Sequence, residues 1–164
     1  MIEVMRLLVD AEMRMFRGLN VRAVFLQNII TDLLLGLKAK NVFVEFAGHI
    51  KSTYHVDPGF NTMNMPELVD FLIECGIDNP IVCSSINKAG YLMSPNKWVY
   101  EKALTEKPFR PVAMSILASG AVSPKEAIEY VCGLPKVQSI VFGASSREHI
   151  EQTKEIICSN WGIG

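Results

Sequence analysis

The turn Gly143-Ala144-Ser145-Ser146 has the residue types of a phosphate site. It follows an uncharged apolar run and precedes a helical pattern, in which Ser145 and Glu148 have the spacing of a capping box. A glycine-containing turn that leads into a helix presents unpaired backbone N–H groups and the positive end of the helix dipole. A well-capped helix after a buried strand requires the same residues. From the residues alone, both interpretations stay open.

Other polar residues stand at or near the ends of apolar runs. Gln27 ends one run, and Asn61 and Thr62 end another. In parallel α/β folds such residues face the edge of the sheet at which ligands bind. Gln27 can hydrogen-bond a carbonyl oxygen but does not titrate near neutral pH, so we expect it to orient a substrate rather than relay a proton, or to have no special role.

The remaining reactive side chains indicate no metal chemistry, and Lys88 alone is a candidate for covalent chemistry. His49, His55 and His149 have no metal-like spacing, and the 4 cysteines form no Cys-x-x-Cys pair, which favours buried reduced thiols. Lys88 follows a strand and could contact a phosphate or form a Schiff base, but a solvated loop lysine is the simpler interpretation. We therefore predict no metal site.

The elements that position these residues alternate between helices and strands. The pattern predicts a first helix over 1–16 and strands at 21–27, 59–63, 81–86, 112–117 and 137–142. Helices are predicted from Thr31 or Asp32 to Leu37, over 41–54, from the Asn64 cap to Cys75, from Ser94-Pro95, from the Ser123 cap to Gly133, and from Ser145 to about Cys158. Strict alternation implies a parallel sheet within one domain, 1–164.

The size of these units predicts an incomplete barrel. A closed (β/α)8 barrel needs about 250 residues, and this chain has 164. We therefore expect an α/β fold of TIM-barrel-like strand-helix repeats, a partial (β/α)8 barrel of about five units. A net charge of −1 excludes a basic field for nucleic acid. Apolar runs too short to span a membrane, and the lack of a signal-peptide pattern, predict a cytoplasmic protein.

The second half of the chain resembles the C-terminal part of the aldo-keto reductase superfamily. Residues 113–120, Ala-Met-Ser-Ile-Leu-Ala-Ser-Gly, stand where that family reads roughly Ala-Tyr-Ser-Pro-Leu-Gly-Gly-Gly in its seventh strand. Residues 124–130, Pro-Lys-Glu-Ala-Ile-Glu-Tyr, match Pro-Glu-Glu-Ala-Leu-Arg-Tyr. Residues 141–153, Val-Phe-Gly-Ala-Ser-Ser-Arg-Glu-His-Ile-Glu-Gln-Thr, match the eighth strand and its turn. Weaker matches at 20–27 and 58–62 extend the resemblance from the fourth to the eighth strand.

The resemblance implies an NADP-dependent oxidoreductase that lacks part of its machinery. Three of the family's four catalytic residues would lie on units absent here, and Gln27 falls at the position of the fourth, a histidine. Met114 replaces the aromatic ring that stacks on the nicotinamide, and Cys83 or Ser84 replaces an amide side chain. The implied NADP-binding residues are Ser115, Gly143, Ala144, Ser145, Ser146, Arg147, Gln152 and Thr153. The implied nicotinamide or substrate side is Asn61, Thr62 and Ser84.

Three functions follow from these expectations. The first is an aldo-keto-reductase-like protein that binds a dinucleotide but is inactive as this chain alone. The second is a non-catalytic half-barrel that associates with its own copy or with a missing N-terminal half. The third is another phosphate-binding barrel enzyme, of the aldolase or isomerase type, for which Lys88, and less well Asp57, would be the catalytic residue.

Overall fold

A computed structural model describes residues 2–162 and shows four parallel strands alternating with helices. The strands are β1 (Ala23–Leu26), β2 (Asp57–Thr62), β3 (Ile81–Ser85) and β4 (Arg110–Met114). The helices are α1 (Ile2–Met13), α2 (Asn28–Gly36), α3 (Lys40–His49), α4 (Met65–Glu74), α5 (Lys97–Glu106), α6 (Pro124–Cys132) and α7 (Arg147–Trp161). A π-helical turn, Ile50–Tyr54, extends α3, so the predicted helix over 41–54 is confirmed. No helix among residues 2–162 is long and apolar enough to cross a bilayer.

Three predicted helix starts are wrong by one to five residues, because the capping residue is a different one. Gln27 precedes α2, which therefore begins before Thr31. Asn96, not Ser94, caps α5 by accepting a hydrogen bond from the backbone of Val99. Ser146, not Ser145, caps α7. The Ser123 cap of α6 is confirmed, since its side chain accepts from the Glu126 backbone.

The strands follow one another across the sheet in chain order, β1-β2-β3-β4. Ala23 lies beside Asp57, Gly59 beside Ile81, and Ile81 beside Arg110. Because parallel crossovers share one hand, a sheet built in this order carries its helices on a single face. The order does not reverse within these strands.

The predicted fifth strand, 137–142, is reduced to one bridge in which Ile140 lies beside Ala113. The Ala113 N–H donates to Ser139 O at 2.9 Å, and the Val141 N–H donates to Ala113 O at 2.8 Å. The ladder cannot grow toward Pro111, which has no N–H to donate. It cannot grow the other way either, because Ser115 has φ +53° and turns the chain out of the strand.

The hydrophobic core joins the helices to one face of the sheet. Val24, Leu26, Phe60, Val82 and Ala113 point into this core. There the ring of Phe60 packs against Phe43 and Phe46 of α3, with centroids 5.7 Å apart in both pairs.

The other face, which we call the opposite face, comprises the alternate strand residues Phe25, Gly59, Asn61, Cys83, Ser85, Val112 and Met114. The hydrophobic core does not include its apolar side chains. The two faces of this sheet therefore have different surroundings.

Polar contacts fasten α1 to α3. Arg6 pairs with Glu45. His49 Nε2 lies 2.7 Å from Asp10 Oδ1, and the Tyr54 hydroxyl donates to the same oxygen. These hydrogen bonds, with the nearby positive charge of Arg14, lower the pKa of Asp10 below its usual value. An ionised Asp10 therefore contributes to the docking of α1, together with the Arg6–Glu45 pair.

Candidate functional site

The carboxyl ends of the four strands lie side by side and carry most of the polar residues that the sequence singles out. Leu26 lies beside Phe60, Thr62 beside Ser84, and Ser85 beside Met114. Gln27 follows β1 directly and is exposed; its backbone carbonyl accepts from the Thr31 N–H at 2.9 Å. Gln27 thus lies at the edge where a substrate-orienting residue was predicted.

Two polar atoms on the opposite face are buried without a partner. They are Asn61 Oδ1 and Ser85 Oγ, and Ser85 is fully buried. Asn61 lies beside Cys83, and Ser85 lies beside Met114, so both are near the carboxyl ends of their strands. An unpaired buried polar group costs about 1 to 3 kcal/mol. A ligand with complementary hydrogen-bonding groups would remove that cost.

Of the residues predicted on the nicotinamide or substrate side, Asn61 alone shares the face of Ser85. Thr62 and Ser84 point toward the helices: Thr62 donates to Asp32, and Ser84 donates to Thr62 O at 2.8 Å. Sequence reasoning missed Ser85. The alternation of side chains along β3 could have revealed it, because Ser85 lies two residues after Cys83 and points to the same face, whereas Ser84 points to the other face.

Buried hydrogen bonds hold the segment that follows β2. Asp32 Oδ2 accepts from the Met63 N–H at 3.0 Å. The Tyr100 hydroxyl donates to Met63 O at 2.9 Å and accepts from the Met65 N–H at 3.1 Å. Burial raises the pKa of Tyr100, so its hydroxyl stays protonated and neutral. This network fixes the carboxyl end of β2, and with it Asn61, from the helix side.

An open cleft of about 630 Å³ lies where β4 ends and brings Ser115 together with Gly143. Tyr91 and Leu92, from the loop after β3, form another part of its wall. Ser115 is exposed, and its left-handed backbone turns the chain out of the strand directly after Met114. The two segments implied as NADP-binding, around 115 and 143, therefore meet at one cleft.

The predicted binding residues beyond Gly143 do not line this cleft. Ala144, Ser145, Ser146 and Arg147 are exposed around the start of α7. The Arg147 Nε donates to Glu151 Oε1 at 2.8 Å. The start of α7 is consequently open to solvent, and the charge of Arg147 is shared with a carboxylate of its own helix.

Two side chains near the start of α7, one of which precedes the helix, contact side chains of its first turn. Gln152 Nε2 donates to Glu148 Oε1 at 3.3 Å, and Ser145 Oγ lies 3.1 Å from His149 Nδ1. Thr153 is half-buried. Glu148 and Glu151 place negative charge near the turn, so an anion bound there would depend on the backbone N–H groups and on Arg147.

The side chains available for acid, base or covalent chemistry at this edge are few. Burial raises the pKa of Cys83 to about 11, so its thiol is protonated at neutral pH. Lys88 Nζ lies 2.5 Å from Glu126 Oε1 in a half-exposed ion pair. Asp57 begins β2, at the far end of the sheet, and pairs with Arg110. Lys88 and Asp57 are thus engaged in ion pairs.

Within residues 2–162, no group of three or more His, Cys, Asp or Glu side chains is placed to hold a metal ion. Comparison with family models, with curated proteins and with solved structures finds no match for this chain. What the carboxyl edge can bind therefore follows from its own geometry. Its cleft is lined mostly by apolar side chains with a few hydrogen-bonding groups, and the start of α7 follows Gly143 closely in the chain.

Proposed function

We propose that this chain is an aldo-keto-reductase-like section of a parallel barrel, which binds NADP(H) at the carboxyl edge and does not reduce carbonyls alone. The observation that carries the proposal is the strand order β1-β2-β3-β4 with a core on one face. A barrel requires sequential neighbours and helices on one side, whereas a doubly wound sheet reverses its order and has helices on both faces.

The chemistry of the edge supports binding rather than catalysis. Asn61 Oδ1 and Ser85 Oγ are buried and unpartnered, which suits a ligand with its own donors and acceptors. Gln27 does not titrate, and the Cys83 thiol, whose pKa lies at about 11, stays neutral. The pKa of about 11 also makes the Cys83 thiol a weak acid, so turnover with aldehydes or quinones should not exceed the background rate.

The cleft between Ser115 and Gly143 supports a phosphate-bearing ligand. Small residues there allow the backbone to come close to the ligand, and the start of α7 supplies N–H groups nearby. A 2′-phosphate adds charge that the α7 start and Arg147 would favour. We therefore expect NADPH to bind more tightly than NADH.

A fluorescence titration of the whole chain with NADPH and NADH tests this function. Ser115→Asp places a negative charge in the cleft and should weaken NADPH binding at least about tenfold, or about 1.4 kcal/mol. Ser52→Asp, on the exposed turn after α3, is the matched control and should have no effect. No binding at millimolar NADPH, or equal effects of both variants, would contradict the proposal.

A second candidate, a non-catalytic half-barrel that works by assembly, is favoured by the unpaired edge of β1. The aldolase or isomerase alternative has less support, because Lys88 is paired with Glu126 and Asp57 lies at the amino end of its strand. A Schiff base would require Lys88 to be free and neutral.

A further inference from the structure

The outer edge of β1 borders an apolar groove. β1 is the first strand of the sheet and pairs on one side, with β2. Beside its other edge, between α1 and α2, lies a cavity of about 590 Å³, which we call the β1 groove. Six of its large apolar side chains are partly or mostly exposed: Val4, Leu8, Phe16, Phe25, Ile30 and Leu33. The groove therefore combines an unpaired strand edge with an apolar wall.

This surface is large enough to form the centre of a modest interface. A full apolar side chain has on the order of 100 Å² of area, so six half-exposed ones offer on the order of 300 Å². A standard interface buries about 800 Å² per partner, somewhat more than half of it non-polar. The groove thus supplies much of the apolar centre of such an interface, and the unpaired N–H and C=O groups of β1 add a hydrogen-bonding row.

The free edge of β1 is suited to pairing with β1 of a second copy of the chain. Residues 23–26 read Ala-Val-Phe-Leu, with no charge and with neither the lysine nor the proline that commonly protects a free edge. An edge strand can pair antiparallel with its own copy about a two-fold axis, which is the usual symmetry of dimers. Centred on Val24 and Phe25, this pairing places Arg22 opposite Gln27, so no like charges meet.

We propose that two copies of this chain associate through β1, with the partner's β1 edge and apolar side chains occupying the β1 groove. The two sheets become one sheet of eight strands, antiparallel at the junction. This interface is separate from the carboxyl-edge cleft and does not rest on the proposed NADP function.

Sedimentation equilibrium of the whole chain, from about 1 to 100 μM, tests the proposal in the range expected for a modest interface. Leu8→Lys and Ile30→Lys each place a charge in the groove. Their matched controls are the neighbouring residues Leu7 and Ile29, which are 68% and 66% exposed and do not line the groove. Since all four side chains are exposed, the fold should survive each change to Lys, which circular dichroism verifies.

The expected result is a dimer for the wild type and for both controls, and a dissociation constant at least about tenfold higher for Leu8→Lys and Ile30→Lys. Hydrogen exchange gives a second measurement, in which the amides of 23–26 gain protection as the concentration rises. A wild-type monomer at all concentrations, or equal effects of the groove and control variants, would overturn the proposal. A dimer that resists all four changes and leaves 23–26 unprotected would overturn it too.

Discussion

Replacing Tyr100 by Phe removes one hydroxyl, through which α5 supports the start of α4. The Met65 N–H, in the first turn of α4, donates to this hydroxyl at 3.1 Å, and no side chain of the capping residue takes its place. Met63 O loses a donor as well, but it keeps the Ser94 N–H at 3.3 Å. The change therefore leaves one buried donor, the Met65 N–H, without a partner, since Met65 is fully buried.

A buried donor without a partner lowers the free energy of unfolding by about 1 to 3 kcal/mol. For a chain of this size, a loss of about 2 kcal/mol lowers the melting temperature by about 4 to 8 °C. Urea unfolding of Tyr100→Phe should show a lower midpoint with an unchanged slope, because the surface exposed on unfolding stays the same.

Tyr91→Phe is the control for this experiment. Tyr91 is 43% exposed, and within the described part of the chain its hydroxyl makes no hydrogen bond, so its stability should match the wild type. If Tyr100→Phe were within about 0.5 kcal/mol of the wild type, the hydroxyl would not be the cap of α4. A loss equal to that of Tyr91→Phe would lead to the same conclusion.

Three further predictions concern protonation and packing. The hydrogen bonds that lower the pKa of Asp10 stabilise the fold above the unfolded pKa of about 3.9, and this stabilisation is lost as the pH falls through the folded pKa. In unfolding curves measured over a pH series, Asp10→Asn should therefore lose less stability at acid pH than the wild type does. Because burial raises the pKa of Cys83 to about 11, Cys83 should react with iodoacetamide at pH 8 far more slowly than the half-buried Cys158. Mass spectrometry of the peptides measures both rates, and equal rates would contradict the burial of Cys83. Gly59→Ala places a Cβ 2.5 Å from the Phe25 ring, so it should lower the free energy of unfolding by about 1 to 3 kcal/mol. The loss should be smaller in a Phe25→Ala background. A double-mutant cycle that finds no coupling between the two positions would show that the ring moves away freely.

Much of the fold could be predicted because apolar runs and caps are local signals. The run at 81–86 carries no charge, and the structure has β3 there as Ile81–Ser85. Ser123 with Glu126 marked the start of α6 correctly. Here the residues that decide the structure are close together in sequence, so the pattern alone reveals them.

The fifth strand was predicted wrongly because its outcome depends on a partner distant in sequence. The run 137–142 carries no charge, but the strand beside it has Pro111 and the turned backbone of Ser115 on either side of Ala113. A strand needs a neighbour with free donors and acceptors, and periodicity does not report on that neighbour.

The sequence could predict which polar residues lie near strand ends, but not the face of the sheet to which each one points. Asn61, Ser84 and Ser115 do lie near the carboxyl edge, as the alternation of strands and helices implied. Which side chain faces the helices depends on the exact register of strands, since a shift of one residue exchanges the two faces. Ser84 was therefore chosen where Ser85 has the unpartnered hydroxyl.

The most direct test of the proposed function is an amide ¹⁵N NMR titration of the chain with NADPH. The account predicts that the largest shift changes occur at the backbone amides of Ser115 and Gly143, which line the cleft at the end of β4. Further changes are expected at the backbone amide of Ser146, which caps α7, and at the side-chain amide of Asn61 on the opposite face. NADH should produce the same pattern at higher concentration. Shifts confined to α1 and β1, or no shifts at millimolar NADPH, would contradict a dinucleotide site at the carboxyl edge.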